Sequence, residues 1–91
     1  MNPVQFKPVA TKKEALKNLT AALVVCKKCK KQFVSITKLN YCFGLKSNGG
    51  EMARKAIAAL NVRILANGNA CFVAKDDARK VIDFVYANKA K

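Results

Sequence analysis

Eighteen lysines and arginines stand against five aspartates and glutamates in this chain of 91 residues, which gives a net charge of +13 at pH 7. Such a chain folds against its own electrostatic repulsion, and a polyanion on its surface relieves that repulsion. Hydrophobic residues make up 52% of the chain, which is enough for a packed core. We therefore expect one small folded domain with a basic surface, and a nucleic acid as its first candidate partner.

Catalytic residue types are scarce in this sequence. It has no histidine, and its only serines are Ser35 and Ser47. Histidine is the usual general base at neutral pH and completes the Ser-His-Asp arrangement, so this chemistry is excluded. The one adjacent pair of carboxylates, Asp76 and Asp77, stands where a predicted helix begins, and a role as helix caps accounts for it. We therefore predict that the protein is not an enzyme and needs no cofactor.

The N-terminal sequence and the cysteines bear on the compartment. The segment MNPVQFKPVATKKEA lacks the apolar core of about 7–15 residues that a secretory signal needs. No apolar run approaches the roughly 20 residues that cross a bilayer. We therefore expect no membrane span and an intracellular, reducing compartment, such as the cytoplasm, a nucleoid or a nucleus, in which the cysteines form no disulfides.

Apolar periodicity predicts an α+β domain over residues 11–88, between an extended arm at 1–10 and a frayed tail at 89–91. Thr11 and Glu14 have the spacing of a capping box, which marks the start of the first helix. The predicted elements, in chain order, are a helix over 12–28, a short strand over 32–35, a helix capped by Ser35 and ended by Gly44, a helix over 49–61, a β-hairpin around Asn67-Gly68, and a C-terminal helix capped by Lys75 or Asp76.

Asn67-Gly68 is the clearest local signal, because this dipeptide accepts the positive φ angles of a two-residue type I′ turn. A turn there places two apolar pairs on one face, which we expect to be buried: Val62 opposite Val73, and Ile64 opposite Cys71. The other face then carries Arg63, Leu65, Ala70 and Phe72. On that face, Phe72 and Arg63 could stack on a base or pack against Phe6.

The order of strand, two helices and hairpin over FVSITKLNYCFGLKSNGGEMARKAIAALNVRILANGNACFVA resembles that of the winged helix-turn-helix superfamily. The resemblance extends from about Thr11 to Asn88. It implies that the helix over 49–61 is a recognition helix, which presents Arg54 and Lys55 to a DNA groove. The residues at the start of this helix, Asn48 among them, suit contact with phosphate rather than with base edges, so the implied binding is mainly to the DNA backbone.

The densest basic cluster is KKCKK at residues 27–31. Four like charges within five residues repel one another unless anions neutralise them, and each phosphate contact also releases counterions. We therefore predict a phosphate-binding patch here, the alternative being the solvated end of a charged helix. The predicted nucleic-acid-binding residues are Lys27, Lys28, Lys30, Lys31, Lys46, Asn48, Arg54, Lys55 and Arg63.

The cysteines allow a second interpretation. Five residues have the spacing of three ligands and two core positions of a zinc finger, which this segment resembles: Cys26, Cys29, Phe33, Leu39 and Cys42. That family has a fourth ligand at the place of residues 46–48, which hold none, and Cys71 would have to supply it. Cysteines on apolar faces behave as small hydrophobic residues, so we predict a metal-free protein. The alternative is zinc bound by Cys26, Cys29, Cys42 and Cys71.

These observations predict a basic, non-enzymatic, winged-helix-like protein that binds duplex DNA, mainly through phosphates, as a transcription regulator or architectural factor. An RNA-binding or ribosome-associated protein is the first alternative, because composition does not distinguish A-form from B-form duplexes. The second alternative is an interaction or inhibitor protein that covers an acidic surface of another protein.

Overall fold

The computed structural model describes residues 6–44 and 51–89. They form, in chain order, α1 (Lys12–Ala22), β1 (Val24–Val25), β2 (Gln32–Ser35), α2 (Ile36–Cys42), α3 (Glu51–Leu60), β3 (Leu65–Asn67), β4 (Ala70–Ala74) and α4 (Lys75–Ala87). The strands make one antiparallel sheet in the order β1-β2-β4-β3. The predicted α+β class is therefore confirmed. Within the two described ranges, no helix combines the length and apolar character of a membrane span.

The first helix begins as predicted and ends earlier. The Glu14 amide donates to the Thr11 hydroxyl at 3.1 Å, and the Glu14 carboxylate accepts from the Thr11 amide at 3.3 Å, so the capping box is confirmed. The helix ends at Ala22 instead of residue 28, because Leu23 is extended (φ −64°, ψ 139°) and the two valines that follow form β1. Branched side chains lose χ1 freedom in a helix, and pairing with β2 satisfies their backbone instead.

The predicted strand and caps around α2 are confirmed. β2 has the predicted bounds, and the Ser35 hydroxyl accepts from the Lys38 amide at 3.2 Å to cap α2. Gly44 follows the helix with φ +82°, a conformation that suits glycine at a helix end. Asn61 takes the left-handed conformation (φ +56°) directly after α3. The start of this helix, predicted at residue 49, lies outside the described residues.

The β3–β4 hairpin turns one residue later than predicted. The observed pairs are Leu65 with Phe72, Ala66 with Cys71, and Asn67 with Ala70. The predicted pairs, Val62 with Val73 and Ile64 with Cys71, are therefore wrong. Gly68 is now the first central residue and has φ +64°, as a type II′ turn requires. Each residue of β4 pairs two positions away from its predicted partner, so the strand residues keep their predicted faces. Arg63, however, precedes β3 and does not face Phe72. Ile64 is exposed instead of buried.

The sheet buries one face. Val34 pairs with Val73, and both are fully buried where α2 and α4 pack on β2 and β4. Because side chains alternate along a strand, Phe33 and Phe72 lie on the opposite face, which we call the outer face. The largest fully buried side chains of the core include Phe43, Ile36, Leu39, Ile57 and Ile82.

The described part of the N-terminal arm, residues 6–10, packs on α2 and α4. Phe6 is buried, and its ring meets that of Phe84 edge-on with centroids 5.6 Å apart. The Tyr86 hydroxyl donates to the Ala10 carbonyl at 2.6 Å. Phe6 also forms a parallel bridge with Lys89, the first residue of the predicted tail. Phe6 therefore packs in the core instead of against Phe72, which was one of the two predicted uses of the Phe72 ring.

Gly44 sets the contact between this arm and α2. The amides of Val9 and Ala10 both donate to the Phe43 carbonyl at 2.8 Å. A Cβ on Gly44 would lie 3.0 Å from the Ala10 nitrogen and 3.0 Å from the Val9 Cβ. We expect Gly44→Ala to lower the free energy of unfolding by about 2–4 kcal/mol, because left-handed strain adds to displacement of the arm.

Gly68→Ala is the matched control, because Gly68 also has a positive φ (+64°) but has no atom within 4 Å of an added Cβ. It should lose only about 1–2 kcal/mol. Urea denaturation measures both variants, and amide exchange at Val9 and Ala10 should accelerate in Gly44→Ala alone. Equal losses in the two variants, with unchanged exchange, would show that the arm contact does not contribute.

Candidate nucleic-acid interface

The lysine loop, residues 27–31, joins β1 to β2. Two backbone hydrogen bonds close it: the Cys26 amide donates to the Lys31 carbonyl, and the Lys30 amide donates to the Cys26 carbonyl, both at 2.8 Å. Lys30 has φ +57°, which turns the chain back into β2. Because α1 ends at Ala22, the alternative of a solvated helix end is wrong, and the lysines stand on a hairpin.

No lysine of the lysine loop forms an ion pair with an acidic residue of the described ranges. All four lysine side chains, Lys27, Lys28, Lys30 and Lys31, are exposed. The ion pair recorded in the described residues joins Lys12 Nζ to Asp83 Oδ1 at 3.1 Å, and none involves the loop. The loop therefore presents four exposed positive charges that form no ion pair with a carboxylate of residues 6–44 or 51–89.

A shallow depression of about 510 Å³ lies beside the lysine loop, at the start of α4. Phe33 pairs with Ala74, so β2 enters the sheet where β4 leaves it and α4 begins. Lys30, Lys31 and Lys75 line the depression, together with Asp76. The pairing of β2 with β4 therefore adds Lys75 to the basic surface. The position of Lys75 in the sequence does not indicate this, because Lys75 is far from the lysine loop along the chain.

The other predicted site residues lie elsewhere. Arg54 and Lys55 are exposed on α3, off its buried stripe of Ala53, Ala56 and Ile57. Arg63 is exposed in the segment between α3 and β3. Lys46 and Asn48 lie outside the described residues.

The lysine loop and the β3–β4 turn lie at opposite ends of the sheet. β2 runs away from the lysine loop and antiparallel to β4, and Ser35 at its far end pairs with Phe72. The turn at Gly68 directly precedes β4, so it lies beyond that far end. The turn that corresponds to a wing and the lysine loop are therefore separate surfaces.

The outer face of the sheet carries one large apolar side chain from each strand. Val24 lies opposite Phe33, and Phe72 lies opposite Leu65. These four residues line a cleft of about 350 Å³, together with Val25, Cys26 and Lys27. Alternation along the predicted strand over 32–35 places Phe33 on the face opposite Val34, so this residue of the cleft could be found from the sequence. Val24 lies in the segment predicted to be helical, so its place on the sheet could not.

The four cysteines do not converge. Cys26 and Cys29 lie at the lysine loop, and Cys71 is half-buried in β4. Cys42 is buried in α2, where its thiol donates to the Lys38 carbonyl at 3.3 Å. In the described part of the chain, no three metal-ligating side chains come together. The zinc alternative therefore lacks an assembled set of four thiolates.

Cys26 and Cys42 have opposite thiol environments. Hydrogen bonds from the backbone amide and the thiol of Cys29, and then from the Lys28 amide, lower the pKa of Cys26. Burial raises the pKa of Cys42 to about 11. Cys26 therefore forms the nucleophilic thiolate at lower pH than an ordinary cysteine, and it does so at the base of the lysine loop.

Comparison of the chain with protein-family models, with curated proteins and with solved structures finds no match. Its function is therefore inferred from the charges, faces and cleft of its own fold.

We expect alkylation by iodoacetamide to distinguish these two thiols. Because the pKa of Cys26 is lowered, its reaction rate should reach half of its maximum at a lower pH in the folded protein than in urea. Cys42 is buried and has its pKa raised to about 11, so it should stay unmodified while the fold persists. Peptide mass spectrometry at a series of pH values measures both rates.

Cys29→Ala separates the causes of the Cys26 shift. It removes the thiol donor and keeps the backbone donor, so the midpoint for Cys26 should move only part of the way towards the value in urea. A wild-type midpoint equal to the value in urea would contradict the hydrogen bonds described here.

Proposed function

We propose that this protein binds nucleic acid without catalysing a reaction, and that the lysine loop holds phosphate groups of the ligand. The observation that carries this proposal is a hairpin on which four exposed lysines have no ion-pair partner among the described residues. Two backbone hydrogen bonds close the loop, so its backbone is already ordered before a ligand arrives. Each phosphate that the loop neutralises releases counterions from the nucleic acid, which favours association.

The backbone of Lys30 also supports the proposal. Its φ of +57° belongs to the left-handed region, where glycine and asparagine are usual. A side chain with a Cβ costs roughly 1–2 kcal/mol there. Lysine at this position therefore adds a charge to the loop at the expense of stability, as a phosphate-binding role would favour.

Duplex DNA is the ligand that the element order favours. The series β2, α2, α3 and the β3–β4 hairpin has the order of a winged helix, and we infer that α3 enters a groove with Arg54 and Lys55 outward. The protein would then act as a transcription regulator or an architectural factor. Duplex RNA and an acidic protein are the competitors to include in each assay.

Replacing Lys27, Lys28, Lys30 and Lys31 together by Gln should weaken binding to every duplex sequence alike. If all four contact phosphate, the slope of log K against log salt should become shallower by roughly 3 to 4, at about 0.9 per phosphate. Fluorescence anisotropy titrations between about 50 and 200 mM salt measure the slope. A loss confined to one sequence would mean that the lysine loop reads bases.

The matched control removes the same charge from exposed positions of α1, of α4 and after α4: Lys13, Lys17, Lys80 and Lys89, each replaced by Gln. It should flatten the salt dependence less than the lysine-loop variant does. Equal effects would assign binding to net charge instead of the loop. A wild-type protein without salt-dependent affinity for either duplex would refute the proposal.

Docking through α3 predicts a separate effect. Arg54→Ala combined with Lys55→Ala should lower duplex DNA affinity by about 10-fold and flatten any sequence preference, since a lost groove contact is worth about 1–3 kcal/mol. Alanine favours helix, and thermal melting verifies the fold. Arg79→Ala with Lys80→Ala removes a similar exposed pair from α4 and is the matched control. Equal affinity of the folded α3 variant and this control would exclude docking through α3.

A further inference from the structure

We infer that the outer face of the sheet binds unpaired bases of a single-stranded nucleic acid, which stack on Phe33 and Phe72 while Lys27 contacts an adjacent phosphate. The inference rests on the proposed function, because phosphates held by the lysine loop bring the attached bases to the cleft.

The core does not account for the position of these rings. On the two central strands, Val34 and Val73 point into the core, whereas Phe33 and Phe72 point away from it. Among the described residues, the half-buried side chains that pack against the core do not include Phe33, Phe72 or Leu65. These side chains therefore form an apolar patch outside the core, which is a candidate surface for a ligand.

The strand register turns these side chains into one platform. Val24, Phe33, Phe72 and Leu65 come from four neighbouring strands, and the rest of the cleft lining comes from the end of β1, from Cys26 and from the first residue of the lysine loop. Phe33 pairs with Ala74 and Phe72 pairs with Ser35, so the two rings are diagonal neighbours, with Cα atoms roughly 7–8 Å apart. Two aromatic side chains at this spacing can each contact one of two successive bases of a strand.

The positive charge beside the cleft indicates which class of ligand the cleft favours. Lys27 lines the same cleft as the two rings, and the rest of the lysine loop continues from it. The aromatic floor and the cationic rim together favour a ligand that combines a flat apolar group with an anion. A nucleotide matches both, since its base stacks and its phosphate is anionic. A duplex keeps its base faces occupied by one another, so the cleft favours unpaired bases.

Two strands of equal charge test the inference: oligothymidine of about 12 nucleotides, within the usual site size, and an abasic strand of the same length. Wild-type protein should bind oligothymidine at least about 30-fold more tightly, because two bases stack and each stacked base adds to the affinity. Phe33→Leu with Phe72→Leu keeps the face apolar and removes the rings. It should bring the oligothymidine affinity close to the abasic value and leave the abasic affinity unchanged.

Phe84→Leu is the matched control, because Phe84 lies on α4 with its ring against Phe6, away from the outer face. It should leave the ratio of the two affinities unchanged. Ring-proton resonances of Phe33 and Phe72 in the wild-type protein should shift upfield with oligothymidine and stay in place with the abasic strand. This measurement does not depend on how a variant folds.

The outcomes separate the two proposals. Absence of binding to both strands and to both duplexes would refute the proposed function. Equal wild-type affinity for the two strands, or ring resonances that do not shift, would refute stacking and leave phosphate binding by the lysine loop intact. The lysine-loop Gln variant should weaken binding to both strands by similar factors. A loss confined to oligothymidine would mean that the lysine loop contacts bases, and it would overturn the assignment of the loop to phosphates.

Discussion

The pairing of β2 with β4 is the contact on which the other surfaces of this protein depend. It joins the strand before α2 to the last strand before α4, and it turns Val34 and Val73 into the core as one fully buried pair. The same register directs Phe33 and Phe72 outward. It also brings the lysine loop to the start of α4, beside Lys75. A slip of one residue would exchange the two faces, exposing the valines and burying the rings, so the buried pair stabilises the register that forms the cleft.

The fold separates apolar packing from positive charge. Each helix turns a stripe of small or branched residues inward, and the arm closes the core through Phe6 and the amides that reach Phe43. The lysines lie on helix surfaces and on the lysine loop, none of whose residues is buried in the core. The densest cluster of like charges therefore lies in a loop at the edge of the sheet, which an anionic ligand can reach.

The lysine loop lies between two features that differ in chemistry. On one side is the polar depression with Lys75 and Asp76, and on the other is the apolar cleft of the outer face, to which Lys27 belongs. The proposed phosphate contacts of the lysine loop and the proposed stacking on Phe33 and Phe72 would therefore lie next to each other. The thiol of Cys26 lies at the base of this hairpin, so modification of that thiol and occupation of the cleft should affect each other.

The sequence alone determined the features whose contacts join residues three or four positions apart. The capping box of Thr11 and Glu14 and the cap at Ser35 are hydrogen bonds between near neighbours, and strand alternation placed Phe72 on the correct face even though the turn was misplaced. Tertiary structure alone decided that α1 stops at Ala22, because the valines after it gain partners only from β2. It also decided the hairpin register, the partner of Phe6 and the cleft, since each depends on which distant strand or helix a residue meets, and spacing along the chain carries no information about distant partners.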